Sequence, residues 1–326
     1  MNTIPLTTKT GGSAVYTIVG NEVPLPNDSG PYSSITLIVL GRGGKFQRTE
    51  MFDRLSKVGW AEILSVENPN PSYDLEQLTT RYSRLRCMVA QTTRGNPGEL
   101  INAAMRECRT PLALVLWSTM TVLPLTPRIL TDLITQKLAV VTVPIIRNQR
   151  GEVLPSVSIP TEYNQGLKTL YVTPSAENNR SLFPFDYSGL YRKDLFLSML
   201  GYDEKIVSPY WQKFEFGVRA YLWGMQIPVH QGLRTTISEY PEPEDTSTDN
   251  NYLRCYLKTL GVDFKQDHGV LDRSAFFDVY RKSGMGIFSS LKLFLEVRRW
   301  VHVHSFRYLK DFHQIVELWG EEGFEE

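Results

Sequence analysis

A surplus of either charge is the first thing this sequence lacks: its 326 residues carry 35 Lys and Arg against 35 Asp and Glu. A nucleic-acid binder usually shows a basic excess on one domain, so that class is not expected, and only a local patch is left open. Long apolar runs are missing too. Nowhere do about 20 apolar residues follow one another, so no transmembrane segment is expected. Cysteine is scarce: Cys87, Cys108 and Cys255 are far apart and show no CxxC or Cys/His spacing. Buried free thiols and a reducing compartment follow from that pattern. Residues 1–33 are polar, with no basic stretch leading into an apolar core, so no secretory signal is expected and a cytoplasmic location is. A Walker lysine, a GxGxxG turn, a nucleophile elbow and a Ser/His/Asp pattern are all missing.

What is present is an ordinary globular composition, 42% hydrophobic and 21% charged, enough for one large domain with an extension. Ser34–Leu40 is apolar on both faces and predicts a buried strand. Met51, Phe52, Leu55 and Val58 then recur at helical spacing up to Gly59, and Ala61–Val66 predicts a second strand. The alternation continues with helices over Tyr73–Arg84 and Gly98–Cys108 and strands over Arg86–Ala90 and Leu112–Leu116. Thr126 and Pro127 supply a cap and first turn for a helix through Leu138, and Ala139–Ile146 is strand again. A mostly parallel sheet flanked by helices follows. Ligands of such sheets bind outside the carboxyl ends of the strands, which marks Gly41–Gly44, Glu67-Asn68 and Trp117-Ser118-Thr119. Beyond residue 150 the pattern loosens. Residues 151–182 predict an irregular excursion, Tyr191–Leu200 and Lys213–Trp223 amphipathic helices, residues 238–249 a mobile acidic, proline-containing loop, and the tail from Asn250 more helix.

Three stretches resemble the family-two glycosyltransferases of the GT-A fold, over roughly residues 34 to 260. The first is the strand–helix–strand unit Ile35–Asn68, in which Glu67 stands where that family places a carboxylate for the donor base or ribose. A solvated strand-end Glu is the alternative. The second runs Gly95-Asn96-Pro97-Gly98-Glu99-Leu100-Ile101-Asn102 and then Leu112–Met120. Asn102 matches the family's internal Asn, while Trp117-Ser118-Thr119 takes the place of the DXD motif that holds a divalent cation. Hard cations want carboxylate oxygens, so no metal ligand is assigned and neither Mn nor Mg is expected. The third runs Phe185–Phe196, Leu200–Glu204 and Tyr210–Ile227. It is similar to the family's acceptor-side segment, with Gln212-Lys213 where the acidic pair with the general base would stand.

The resemblance implies a nucleotide-sugar as donor, contacted by Glu67, Asn102 and the Trp117–Thr119 triplet. For a base it leaves Asp186 and Glu215, and Glu215 can equally pair with Arg219 four residues on. His230 matches a family His, and without DXD partners a packed or exposed residue is the plainer role. Gly41–Gly44 with Arg42 could cradle phosphate or simply turn the chain. His302 and His304 diverge on a helix and do not chelate together. Two functions stay open. One is a donor-binding pseudoenzyme or scaffold subunit with impaired or absent metal-dependent transfer. It would take a protein partner through its C-terminal helices. The other is an active, metal-independent inverting transferase of cell-envelope or protein glycosylation. The expected division is a polar segment 1–33, a GT-A-like domain 34–260 and a helical extension 261–326.

Overall fold

The computed structural model describes residues 6–11, 14–20, 24–25, 32–42, 48–69, 71, 74–91, 96–163, 166–284, 286–317 and 319. The expected turn residues Gly43 and Gly44, along with Asn70, Tyr73, Gly95 and the acidic terminus from 320, lie outside the described residues. The first elements are a hairpin of β1 (Leu6–Gly11) and β2 (Ala14–Val19). Strand and helix then alternate: β3 (Ile35–Leu40), α1 (Arg48–Leu55), β4 (Glu62–Glu67), α2 (Leu75–Arg81), β5 (Leu85–Ala90), α3 (Pro97–Glu107) and β6 (Leu112–Trp117). A short β7 (Met120–Val122), α4 (Pro127–Thr135), β8 (Val141–Arg147) and the hairpin β9 (Val157–Tyr163) and β10 (Gly166–Val172) follow. The rest is β11 (Gly189–Arg192), α5 (Lys193–Ser198), α6 (Pro209–Leu222), β12 (Val229–Ile237), α7 (Asn250–Lys258), β13 (Val262–Lys265), β14 (His268–Leu271), α8 (Ala275–Ser283), α9 (Ile287–Val303) and α10 (Phe312–Glu317).

Ten strands form one sheet in the order β1-β2-β5-β4-β3-β6-β11-β8-β12-β7. β5, β4, β3, β6, β8 and β12 share one direction, whereas β2, β11 and β7 oppose it. The mostly parallel α/β architecture expected from the sequence is therefore present. Its strands are apolar on both faces because helices cover both. Ile35, Leu37 and Val39 of β3 join one core with Phe52 of α1, Leu78 of α2 and Leu133 of α4. Ile38 and Leu40 join the other, with Ile101 and Met105 of α3 and the length of α6. Local signals fix the helix starts: Asn96 caps α3 by accepting from Glu99 N, Thr126 caps α4, and Pro97 and Pro127 occupy their first turns.

Three expectations need correction. The 151–182 excursion contains β9 and β10, paired in register from Val157↔Val172 to Tyr163↔Gly166. Gly189–Arg192, part of which was expected as helix, is a strand inserted between β6 and β8. The helical tail is interrupted by the β13–β14 hairpin. Ahead of residue 34, where the sequence predicts no element, β1 and β2 add to the main sheet, with Tyr16 of β2 opposite Ala90 of β5. All three cysteines are free and buried.

Candidate functional site

β11 runs against its neighbours, so its beginning lies at the edge where β3 and β6 end. That topology brings Asp186 and Tyr187, which precede β11, to Arg42 after β3 and Trp117 at the end of β6. The Arg42 guanidinium donates to both oxygens of Asp186, Nη1 at 2.6 Å and Nη2 at 3.2 Å. It also lies 3.8 Å from the centroid of the Trp117 ring. Trp117 Nε1 donates to the Asp186 carbonyl at 2.8 Å, which ties the cluster shut. The Ser118 hydroxyl accepts from Arg42 N and donates to Arg42 O, clamping the turn that carries the guanidinium. Asp186 and Tyr187 both adopt left-handed backbone, φ 47° and 61°. Such strain in two consecutive non-glycine residues is sustained only by surrounding contacts and is typical of functional edges.

Two adjoining cavities open at this edge. One of about 450 Å³ is lined by Arg42, Pro97, Trp117, Asp186, Tyr187 and the segment after β12 that carries Glu239, Glu242 and Asp245. The other, about 650 Å³, is walled by Tyr171, Phe185, Tyr210, Trp211 and Tyr252 and shares Asp186 and residues 240–244 with the first. The acidic segment expected to be mobile is held at two points. Trp211 Nε1 donates to Ser247 O at 2.7 Å, and Lys213 Nζ meets Glu244 Oε1 at 2.6 Å. Residues 239–245 are the part of the site that sequence reasoning passed over. The end of β12 at the carboxyl edge is the signal that would have found them.

Gln212 is fully buried at the start of α6. Its Oε1 accepts from Gly98 N at 3.1 Å and from the Tyr187 hydroxyl at 2.9 Å, and its Nε2 donates to Asn96 Oδ1 at 2.8 Å. Burial pushes the Tyr187 phenol well above its ordinary pKa, so it remains a neutral donor. Gln212 thus fastens α6 to the start of α3. A Cβ on Gly98 would lie 2.2 Å from its Oε1.

The other sequence-nominated residues are distributed differently. Glu67 is 3% exposed and so is not a solvated strand end. Arg48 Nη2 reaches its Oε2 at 3.2 Å and the Ser65 hydroxyl donates to its Oε1. Arg48 Nη1 is buried with no hydrogen-bond partner among the described residues. Asn102 clamps the turn before α6, donating to Tyr202 O at 2.8 Å and accepting from Tyr202 N at 2.9 Å. Glu215 is the ion pair, enlarged: Arg219 Nε at 2.7 Å and Lys258 Nζ at 2.6 Å enclose it at 0% exposure. Burial alone would raise its pKa, but the charges of Arg219 and Lys258 outweigh burial and hold the carboxyl below its ordinary value. His230 stands at the opposite end of β12 from Ile237, opposite Pro144 in the middle of β8, and burial lowers its pKa.

A GT-A fold implies a divalent cation at the end of β6, and the residues there do not suit one. The Trp117 ring is covered by Arg42, Ser118 Oγ is committed to the Arg42 backbone, and Thr119 Oγ1 is a buried lone hydroxyl without a hydrogen-bond partner among the described residues. Among the described residues no group of three or more His, Cys, Asp or Glu is placed to hold a metal ion. No helix among them is long and apolar enough to cross a membrane.

No protein-family model matches the chain, and no curated protein matches it in sequence. Solved structures do. The crystal structure of GalNAc-T7 with UDP, GalNAc and Mn2+ superposes with a TM-score of 0.55 at 13% identity, covering 87% of this chain and 56% of that one. S. aureus TarS 1-349 in complex with UDP gives 0.47 at 15% identity, covering 81% and 70%. This chain therefore spans little more than half the length of the GalNAc-T7 chain it matches. The mostly parallel sheet flanked by helices and the superposition on GalNAc-T7 agree: the fold of this chain is the GT-A fold of glycosyltransferases.

Proposed function

We propose that the carboxyl-edge crevice binds a nucleotide-sugar and sets its diphosphate against Arg42 instead of against a carboxylate-held cation. The cluster of Arg42, Trp117 and Asp186 carries this reading. A guanidinium has five N–H donors and matches phosphate oxygens two at a time, and the Asp186 contacts occupy only two of them. Trp117 and Tyr240 line the same cavity, and Asp186 and Glu242 can accept from sugar hydroxyls. The structural neighbour GalNAc-T7 was crystallised with UDP and GalNAc, which supports the choice of ligand class. In this assignment residues 34–260 are the donor-binding domain and 261–326 an extension. Glu67 acts by holding Arg48, and Asn102 by holding the 200–202 turn.

Transfer by the usual metal-dependent inverting route is not part of the proposal. Gln212 is a neutral amide with its bonds taken, and the Lys213 ammonium is tied to Glu244. The chain is thus a donor-binding member of its fold, a pseudoenzyme or scaffold subunit, with impaired or absent transfer. One observation favours a second reading, metal-independent transfer. Glu239, Glu242 and Asp245 line the cavity beside Arg42, where a carboxylate would act as general base. Calorimetry with UDP and UDP-sugars in EDTA separates the outcomes. Binding without turnover supports the first reading, turnover in EDTA the second, and no binding to any donor rejects both.

A further inference from the structure

One stretch of this balanced chain carries a local positive surplus. Residues 275–310 hold seven Lys or Arg against two acids, an excess of five, whereas the whole sequence has 35 of each sign. α9 packs one face inward through Phe294, Val297 and Val301. On the opposite face, at helical spacing, stand Phe288, Lys292, Leu295, Arg299 and Val303, with Phe306 just beyond. Phe288 is 86% exposed, Val303 69% and Phe306 75%. Lys292, Arg298 and Arg299 make no ion pair among the described residues. Glu296, the acid of this helix, lies on its flank and is neutralised by Lys205 at 2.6 Å and Arg254 at 3.0 Å. Beside the ridge a cavity of about 490 Å³ is lined by Arg298, Arg299, His302, His268 and Leu295.

We propose that this face is a membrane-surface platform. The ridge of Phe288, Leu295, Val303 and Phe306 enters the interface of an anionic bilayer, and the Arg298–Arg299–His302 cavity takes a lipid phosphate headgroup. Charge decides between a bilayer and a protein partner. The centre of a protein interface is depleted of charged residues, Lys above all. Here Lys292 and Arg299 alternate with the apolar residues along a single line, the pattern of helices that lie in a headgroup layer. A row of exposed apolar side chains on one helix face calls for a covering, and the unpaired Lys292, Arg298 and Arg299 beside it select an anionic one.

The test is co-flotation of the full chain with vesicles of phosphatidylcholine alone and of phosphatidylcholine mixed with phosphatidylglycerol. Binding is expected only to the mixed vesicles and should fall with salt. Phe288→Ser and Leu295→Ser should each weaken it roughly tenfold, the loss of one large apolar side chain from the interface. Arg298→Gln and Arg299→Gln should each weaken it roughly fivefold (about 1 kcal/mol), with melting temperatures little changed because neither group makes an ion pair among the described residues. Absence of flotation with the mixed vesicles overturns the proposal, as does equal flotation with both kinds or indifference to all four substitutions. Binding of glycerophosphate without vesicle binding overturns the lipid assignment. A concentration-dependent dimer lost in Phe288→Ser, again without vesicle binding, makes the face a contact between copies.

Discussion

Replacing Glu215 by Gln separates a buried ion pair from a catalytic base. The carboxylate stands at 0% exposure between Arg219 and Lys258, and removing one member of such a buried set costs about 3–5 kcal/mol. The lower end applies here. Lys258 keeps Asp203 at 2.8 Å, and Arg219 keeps the Gly201 carbonyl at 2.7 Å and that of Met199, so neither cation is left bare. A loss of about 3 kcal/mol corresponds to roughly 5 °C in melting temperature for a chain of this size. Urea unfolding followed by circular dichroism gives the free energy, and calorimetry on the folded variant gives donor affinity. Glu215→Gln should be destabilised with donor binding intact. Wild-type stability together with lost binding or turnover would refute the assignment of Glu215 to the ion-pair network.

The same network fixes the acid response. Asp203 and Glu215 are both held below their ordinary pKa by Lys258 and a neighbouring Arg, against the effect of burial. The unfolded chain therefore takes up these protons first as the pH falls. Their stabilisation is complete above the ordinary carboxylate range and is lost as pH drops toward the folded values; stability measured at falling pH should decline more steeply in wild type than in Glu215→Gln. Asn102→Ala leaves Tyr202 N and O without their buried partner and should cost about 2–3 kcal/mol in urea unfolding, with unchanged donor affinity per folded molecule. Arg42→Met should weaken UDP binding to the folded protein by roughly tenfold or more, the worth of charge-assisted hydrogen bonds, and should also lower stability because the buried Asp186 carboxylate loses its partner; unchanged affinity in the folded variant would count against the assigned role.

Most of the sheet was legible because its strands are covered on both faces. Ser34–Leu40, Leu112–Leu116 and Ala139–Ile146 carry apolar residues on both faces, which a helix with one solvated face does not need. What escaped notice is less buried or shorter. β9 and β10 form a two-stranded hairpin with Leu170 52% exposed, so no apolar run announces it. β11 is four residues that pass straight into α5, and Tyr191 belongs to the strand although its spacing also fits the helix. The site was half legible. The carboxyl-end rule pointed to Arg42 and Trp117, but a strand running backwards through the sheet is what adds Asp186 to them, and that insertion has no local signature. Gln212 looked like a lost base, and only the packing shows it as the bolt between α6 and α3.

Titration of UDP and a panel of UDP-sugars into the full chain by calorimetry, once in EDTA and once with Mn2+, tests the central claim most directly. Arg42 in place of a carboxylate-held cation predicts binding in EDTA that Mn2+ leaves unchanged and that Arg42→Met weakens. Binding that requires Mn2+, or no binding to any donor, would contradict it.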